Sequence, residues 1–491
     1  MYLLESKAEH NPLFKRWKKG DKRVALVYPN AYAGGIANIG LHQIYAEVNS
    51  IDGFVCERFY GNVFNCERSI ESGTKLKNFD VALFSIQFED DYFKLVDVTS
   101  KAGNAIKIAG GPCILENPLP LTPYFDYFYI GEVDGDVERL LEVVFAGDEE
   151  DCIIKSETVI EMSESGDRLK VRKELGQHLT RQIVGCGVYG KCYLIEVGRG
   201  CRRGCSFCVV RQIYRPCRWR NEKEILEVAE NAKKVCNKVA LISPSVTDHP
   251  NAKEFMWELV NMNLEVSPSS MRADTIDEEM AELLVACGQK SITIAPEAGS
   301  ERLRRVLRKG LNEEKILYAA NCIAGKIKNL KMYYMIGLPE ERDEDIKSIL
   351  KLTEKIKKLG FKVSVSINPL IPKPHTPLQF APFGGKHGGL TQLRELKIKA
   401  KMLESDFRKI GVNAKIEKPE KFAVQTILSR GGADVGKALS NTKSTKSYLL
   451  RRFSHLLGEL NFEKQPWEFI DHGYRLEKLR SEYENLIIEV C

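Results

Sequence analysis

Three cysteines stand at the tightest spacing in the chain, in Cys201-Arg-Arg-Gly-Cys205-Ser-Phe-Cys208. Thiolates are iron ligands, and three of them around a loop containing Gly204 can hold three irons of a cubic [4Fe–4S] cluster and leave the fourth iron open. A zinc site usually takes a fourth ligand at paired spacing, and no Cys-x-x-Cys partner or His pair follows. Six of the 14 cysteines (Cys186, Cys192, Cys201, Cys205, Cys208 and Cys217) fall within 32 residues, a knot that reads as metal binding rather than disulfides in an intracellular chain. Cys186, Cys192 and Cys217 are loosely spaced and read as packed or accessible thiols, with an auxiliary cluster as the alternative. Cys56, Cys66, Cys113, Cys152, Cys236, Cys287, Cys322 and Cys491 carry no readable pattern.

The elements that must carry this loop alternate between strand and helix. Strands are expected at Cys192–Gly198, Val239–Ser243, Leu264–Ser267, Ser291–Ala295, Leu330–Met335 and Lys362–Asn368, with amphipathic helices such as Glu222–Val235 and Asp277–Cys287 between them. Six βα units in succession predict an α/β fold with a partial (β/α)6 barrel of the triosephosphate-isomerase (TIM) type, its chemistry at the C-terminal strand ends. Residues 22–145 alternate in the same way: strands at Lys22–Asn30, Phe79–Phe88, Ala105–Gly111 and Phe125–Ile130, helices at Gly40–Val48 and Val137–Phe145. That order predicts a doubly wound, Rossmann-like parallel sheet covered on both faces. Its crevice would be edged by Pro29, Asn30, Gly34, Gly35, Gly110, Gly111, Gly131 and Glu132, whose glycines serve either a ligand or the turns themselves. The expected organisation is a Rossmann-like domain over 1–150 and a linker over 151–189 with a hairpin at Thr158–Val171. A barrel domain over 190–385 follows, ending in the Gly-rich break Gly384–Gly389, and then a small, mainly helical region over 386–491.

The chain of 491 residues has 43% apolar and 29% charged residues, ordinary globular usage that argues against a disordered, collagenous or disulfide-framework protein. No run approaches the roughly 18 apolar residues of a membrane span, and Glu5 and Lys7 precede any signal-peptide core, so a soluble, cytoplasmic protein is expected. A net charge of +6, from 73 Lys and Arg against 67 Asp and Glu, is too weak over this length to mark a nucleic-acid binder.

The three-cysteine loop resembles that of the radical S-adenosylmethionine (radical SAM) superfamily. Ala295-Pro-Glu297-Ala-Gly299-Ser300, followed by Arg308-Lys309-Gly310, resembles a fourth-strand element of these proteins. Tyr334-Met-Ile336-Gly337-Leu-Pro339-Glu resembles the fifth-strand loop, and Pro372-Lys-Pro374-His-Thr376-Pro377 the sixth. The resemblance implies a [4Fe–4S] cluster on Cys201, Cys205 and Cys208 whose open iron chelates SAM. An electron from a ferredoxin- or flavodoxin-type donor then cleaves the sulfonium and releases a 5′-deoxyadenosyl radical. It further implies that Phe207 lies beside the adenine, that Glu297 bonds SAM ribose or amino groups, and that the backbone at Gly337 passes along the adenosyl moiety. Ser243 and Ser245 stand where relatives often hold the methionyl amine with an acidic or polar group, although the typical acid is missing. Arg272 would pair with the SAM carboxylate as a charge-assisted fork. The bland alternatives are a helix N-cap acid for Glu297 and a solvated side chain for Arg272. The run Tyr214-Arg215-Pro216-Cys217-Arg218-Trp219-Arg220 offers arginines either for an anionic group or for ion pairs on the barrel rim.

The stretch with Tyr28-Pro-Asn30, Asn38-Ile-Gly40-Leu41, Ile108-Ala-Gly-Gly-Pro112 and Ile130-Gly131-Glu132 resembles the cobalamin-binding-type domain that precedes the barrel in many radical SAM proteins. Asn30, Gly34, Gly110 and Gly131 would then edge the corrin. No histidine follows the first strand to ligate cobalt, and His42 reads as structural. The resemblance implies methylation of an unactivated carbon on a peptide, protein or small molecule, with one SAM as methyl source and one as radical source. A methylthiotransferase-like modifier of RNA or protein is the runner-up. It has Cys113 in a comparable place but no cysteine in Pro29-Asn30-Ala31-Tyr32. An alternative of another class is an RNA-binding protein with a structural iron–sulfur cluster, using Lys397–Lys401, Arg451 and Arg452.

Overall fold

The computed structural model describes residues 9–386, 388–440 and 445–488; Cys491, and His387 within the Gly-rich break, lie outside them. The N-terminal sheet is built from β1 (Lys22–Tyr28), β2 (Phe54–Tyr60), β3 (Val81–Ser85), β4 (Ile106–Gly110), β5 (Tyr127–Tyr129) and β6 (Ile153–Lys155). Its order is β2-β1-β3-β4-β5-β6, parallel except for the antiparallel edge β6. Strand order therefore reverses between β1 and β3, and an open α/β sheet parts its loops at such a point to make a crevice.

The sheet is apolar on both faces because both are covered. Val24 and Leu26 pack on one side with Leu41, Tyr45 and Val48 of the helix Ile39–Ser50 and with Leu140 and Val144 of Val137–Ala146. Ala25 and Val27 face the other way, into a core that runs without a break into the barrel. Each such Val or Leu contributes roughly 1.5–3 kcal/mol on burial, so this shared core binds sheet and barrel into one body.

The barrel strands are β7 (Tyr193–Glu196), β8 (Lys238–Ile242), β9 (Glu265–Pro268), β10 (Ser291–Glu297), β11 (Asn329–Ile336) and β12 (Lys362–Pro369). They form two parallel sheets, β7-β8-β9 and β10-β11-β12, and β13 (Asn413–Ile416) pairs in parallel beyond β12. Burial alternates strictly along β11, the period-two signature of one face on the barrel interior and one under the helices.

Three expectations are corrected. Thr158–Val171 is not a hairpin: Ser156–Ser165 is helical, stopped at Gly166 in the left-handed region (φ +95°), while Leu169–Lys170 pairs in parallel with Ile470–Asp471. β2 was not anticipated. The barrel sheet does not end at the Gly-rich break, since β13 lies beyond it, after the helix Gly389–Lys409.

Candidate active site between sheet and barrel

The C-terminal ends of the two parallel sheets face each other across a cavity of about 390 Å³. From the N-terminal sheet its wall takes Ser85, Gln87, Gly110, Gly111, Gly131 and Glu132, and from the barrel Glu196, Gly198, Arg199, Ile242 and Ser243. Most of the remaining lining is aliphatic or aromatic, including Ile39, Leu83, Leu115 and Tyr129. Gly111 makes the turn after β4 possible: its φ is +102°, and a Cβ there would sit 2.8 Å from the Ile86 carbonyl oxygen. Gly110 is different, because a Cβ would meet nothing closer than 3.9 Å, so its lack of a side chain leaves space on the cavity side.

Charges on the cavity rim are saturated. Arg218 donates two hydrogen bonds to Glu132 (2.6 and 2.8 Å), and Arg199 donates to Asp134 (2.7 and 3.0 Å) and to Glu196 (2.8 and 3.1 Å). Arg220 completes the set on Glu196 at 3.1 Å. Of the alternatives open for the Tyr214–Arg220 run, ion pairing on the rim is the one observed for Arg218 and Arg220. These pairs join β7, the strand Gly198–Arg199 and the segment after β5, and so fix the sheet against the barrel mouth.

The cysteine loop lies beyond Gly198–Arg199 and is pinned at several points. Ser206 donates its backbone N–H to the Leu307 carbonyl (3.0 Å) and its hydroxyl to the Val306 carbonyl (3.1 Å), and Leu378 donates to the Ser206 carbonyl (3.3 Å). Arg203 pairs with Asp248 and, at 3.2 Å, with Asp274. Burial acts to raise the Asp248 pKa, but the Arg203 hydrogen bonds and charge outweigh it and hold the carboxyl below its usual range. Cys205 is buried; Cys201 and Cys208 are half-buried. The Arg203 N–H points at Cys201 Sγ at 3.4 Å. Burial pushes the Cys201 thiol up and the Cys208 thiol up to about 11, so metal binding there must also release the thiol protons. Among the described residues no three His, Cys, Asp or Glu side chains converge on a single ion. A cubane sets each thiolate on its own iron, and three thiols on one pinned loop fit that donor set.

Of the residues expected around SAM, Phe207, Arg272 and Glu297 are brought together by Lys309. Its ammonium pairs with Glu297 at 2.9 Å and lies 5.9 Å from the Phe207 ring centre, and its carbonyl accepts from Arg272 at 2.6 Å. Arg272 is not solvated: it is buried and also donates to Asp274 at 2.8 Å. Nor is Glu297 an N-cap, because Ser300 caps the helix Glu301–Val306, and Glu297 itself takes a positive φ of +67° at the end of β10. Ser243 lines the cavity and accepts the Ser245 N–H at 3.4 Å, while Ser245 is buried away from the wall. Gly337 (φ +74°) donates to Glu341 at 2.9 Å and packs against Gly384 and Leu396.

On the N-terminal side Gly110 and Gly131 line the cavity, but Asn30 and Gly34 do not. Asn30 is held by Asp91 (3.0 Å), and Gly34 sits against the Tyr28 ring. His42 is structural: it is buried with Nε2 2.9 Å from the Ile36 carbonyl, and burial, aided by Arg58, lowers its pKa to about 3. Sequence reasoning missed Lys309 as a node, the acids Asp134 and Glu196, and Asn368. The Asn368 Oδ1 is buried without a partner near the end of β12; a polar residue closing an apolar strand was its one visible signal.

Comparison with known proteins agrees with this architecture. Residues 195–353 match the radical SAM superfamily, and residues 40–167 match the N-terminal region of radical SAM proteins. An uncharacterized protein of Methanocaldococcus jannaschii is 34% identical over 469 residues, covering 92% of this chain and 97% of its own. The fold is similar to that of the radical SAM methyltransferase TsrM of Kitasatospora setae, solved with cobalamin and a [4Fe–4S] cluster (TM-score 0.53, 14% identity, 73% of this chain and 77% of that one). It is also similar to the cobalamin-dependent radical SAM enzyme OxsB, solved with aqua-cobalamin and SAM (TM-score 0.54, 14% identity, 96% and 79%). With a cysteine loop at the mouth of a partial barrel and a relative of near full length, the chain belongs to the radical SAM superfamily.

Proposed function

We propose that this radical SAM enzyme methylates an unactivated carbon with the help of cobalamin, on a peptide, protein or small-molecule substrate held between sheet and barrel. The observation that carries this reading is the single cavity shared by the strand ends of both sheets. When bound, the [4Fe–4S] cluster and SAM supply a hydrogen-abstracting carbon radical, and cobalamin supplies a transferable methyl group. Cys201, Cys205 and Cys208 hold the cluster, and the Lys309 node positions Glu297, Arg272 and Phe207 around SAM. Gly110 leaves the N-terminal wall open enough for a planar ring to approach backbone, and the aliphatic lining excludes water from a reactive radical. Among the described residues no histidine lines the cavity, so this wall would offer a bound cobalamin no imidazole. A methylthiotransferase reading gains nothing from Cys113, whose thiol is buried in the core.

The test is anaerobic incubation with hydroxocobalamin followed by gel filtration. Wild-type protein should retain the corrinoid, with a Co(II) spectrum free of axial nitrogen splitting. Gly110→Leu should retain none while keeping its iron. If wild-type protein also emerges without corrinoid, methyl transfer fails and a cobalamin-free radical reaction replaces it.

A further inference from the structure

On the outer side of the cysteine loop lies a second cavity of about 270 Å³, whose wall includes Cys201 itself. It is strongly cationic: Arg202, Arg211, Arg215, Arg475 and Lys478 line it against one acid, Glu482. That acid is already taken, by Arg211 at 3.0 Å and by Arg308 at 3.2 Å, and Arg202 reaches Asp248 at 3.6 Å. Arg215, Arg475 and Lys478 have no carboxylate partner among the described residues, and Arg475 and Lys478 are exposed at the start of the helix Leu476–Ile488. The contrast with the paired cavity rim is the argument. Cations left unpaired beside a cluster ligand carry a focused positive potential into solvent.

We infer that this cleft is the docking surface for an acidic, one-electron protein carrier of the flavodoxin or ferredoxin type. The inference rests on the radical SAM reading, in which the cluster must be reduced. In the step served here one electron leaves the reduced carrier, which is oxidised by one electron, and enters the oxidised cluster, which is reduced by one. No atom or proton moves, so the two redox centres need proximity and orientation alone. Charge complementarity supplies these: an acidic rim on the carrier meets Arg215, Arg475 and Lys478, and the wall it covers contains Cys201. The cavity between sheet and barrel takes Val210 and Tyr214 from the segment that gives this cleft Arg211, Gln212 and Arg215, and the two share no lining residue.

The experiment uses the full chain and purified flavodoxin. Binding is measured by calorimetry at low and high ionic strength for wild type, for Arg475→Glu/Lys478→Glu and for Lys401→Glu, an exposed reversal on another face. SAM cleavage is followed in parallel with flavodoxin and with dithionite as reductant. The double reversal should weaken flavodoxin binding about tenfold or more at low salt, the lower end of what electrostatic steering contributes, and should abolish most of the salt dependence. Lys401→Glu should bind as wild type does, and cleavage driven by dithionite should be unchanged in both variants. Wild-type affinity in the double variant overturns the docking surface, whatever the cleavage assay shows. Tighter binding of single-stranded RNA than of flavodoxin, lost in the same variant, overturns it in favour of a nucleic-acid site. Absence of cleavage even with dithionite and wild-type protein defeats the radical SAM reading itself, and the calorimetry still decides the surface.

Discussion

The two cavities that meet along residues 210–215 handle charge in opposite ways. On the rim between sheet and barrel, Arg199, Arg218 and Arg220 are each matched by buried acids (Glu132, Asp134 and Glu196), and most of the remaining wall is apolar. In the outer cleft Arg215, Arg475 and Lys478 have no carboxylate partner among the described residues. Paired charges in a partly dry wall fix geometry and attract little from solvent, whereas unpaired charges at a surface attract partners and fix little. Under the proposed function the first mouth holds cofactor and substrate in place, and under the docking inference the second is visited by a carrier.

Breaking the pairs should therefore cost stability, and reversing the free charges should not. Glu132→Ala leaves Arg218 without its fork and Arg199 with one acid fewer; removing one member of a buried pair typically costs about 3–5 kcal/mol. It should lower the urea midpoint accordingly, a loss that Glu132→Gln recovers in part. An undiminished midpoint would show that the rim does not hold sheet and barrel together. A smaller effect is expected from a second buried set at the same junction, where Lys373 bridges Glu89 and Glu116, the latter at 2.9 Å. Burial raises the Glu116 pKa to about 7 from an ordinary value of 4.5, with Glu89 adding to the rise and Lys373 opposing it. The native state thus holds a proton that the unfolded chain has lost, and its stabilising contribution, complete below pH 4.5, disappears as pH rises through about 7. In urea unfolding at about pH 5 and about pH 7.5, Glu116→Gln should show less loss at the higher pH than wild type does. Equal losses would remove the coupling. Smallest of all, Arg475→Glu/Lys478→Glu should leave the midpoint where it is, since neither side chain has a carboxylate partner among the described residues to lose.

What the sequence revealed of this arrangement follows from how local each signal is. The six barrel strands lie within one or two residues of expectation because apolar alternation is a property of adjacent residues. β2 escaped because Glu57 and Arg58 interrupt it. In the fold both are buried, with Arg58 paired to Glu9 and Glu71 and Glu57 accepting from Ser72, so a polar pair reads as a loop when its partners are distant. The helix Ser156–Ser165 was hidden by Thr158, Val159 and Ile160, β-branched residues that favour strand locally. The cysteine loop was legible as a motif, whereas the Glu132–Arg218 fork, 86 residues apart, and the Lys309 node exist only after folding. The basic stretch at Lys397–Lys401 shows the reverse error. Lys397 pairs with Glu420 at 2.6 Å and Lys399 with Glu341 at 2.8 Å, so two of its charges are spent within the chain and little is left for RNA.

The central claim is that Cys201, Cys205 and Cys208 alone hold one cluster that cleaves SAM. It is tested most directly by iron content and 5′-deoxyadenosine yield after anaerobic reconstitution and reduction, in wild type and in two triple variants. The account predicts about four irons per chain in wild type, the same iron and yield when Cys186, Cys192 and Cys217 become Ala, and neither iron nor product when Cys201, Cys205 and Cys208 do. Full iron and continued cleavage in the last variant would contradict it.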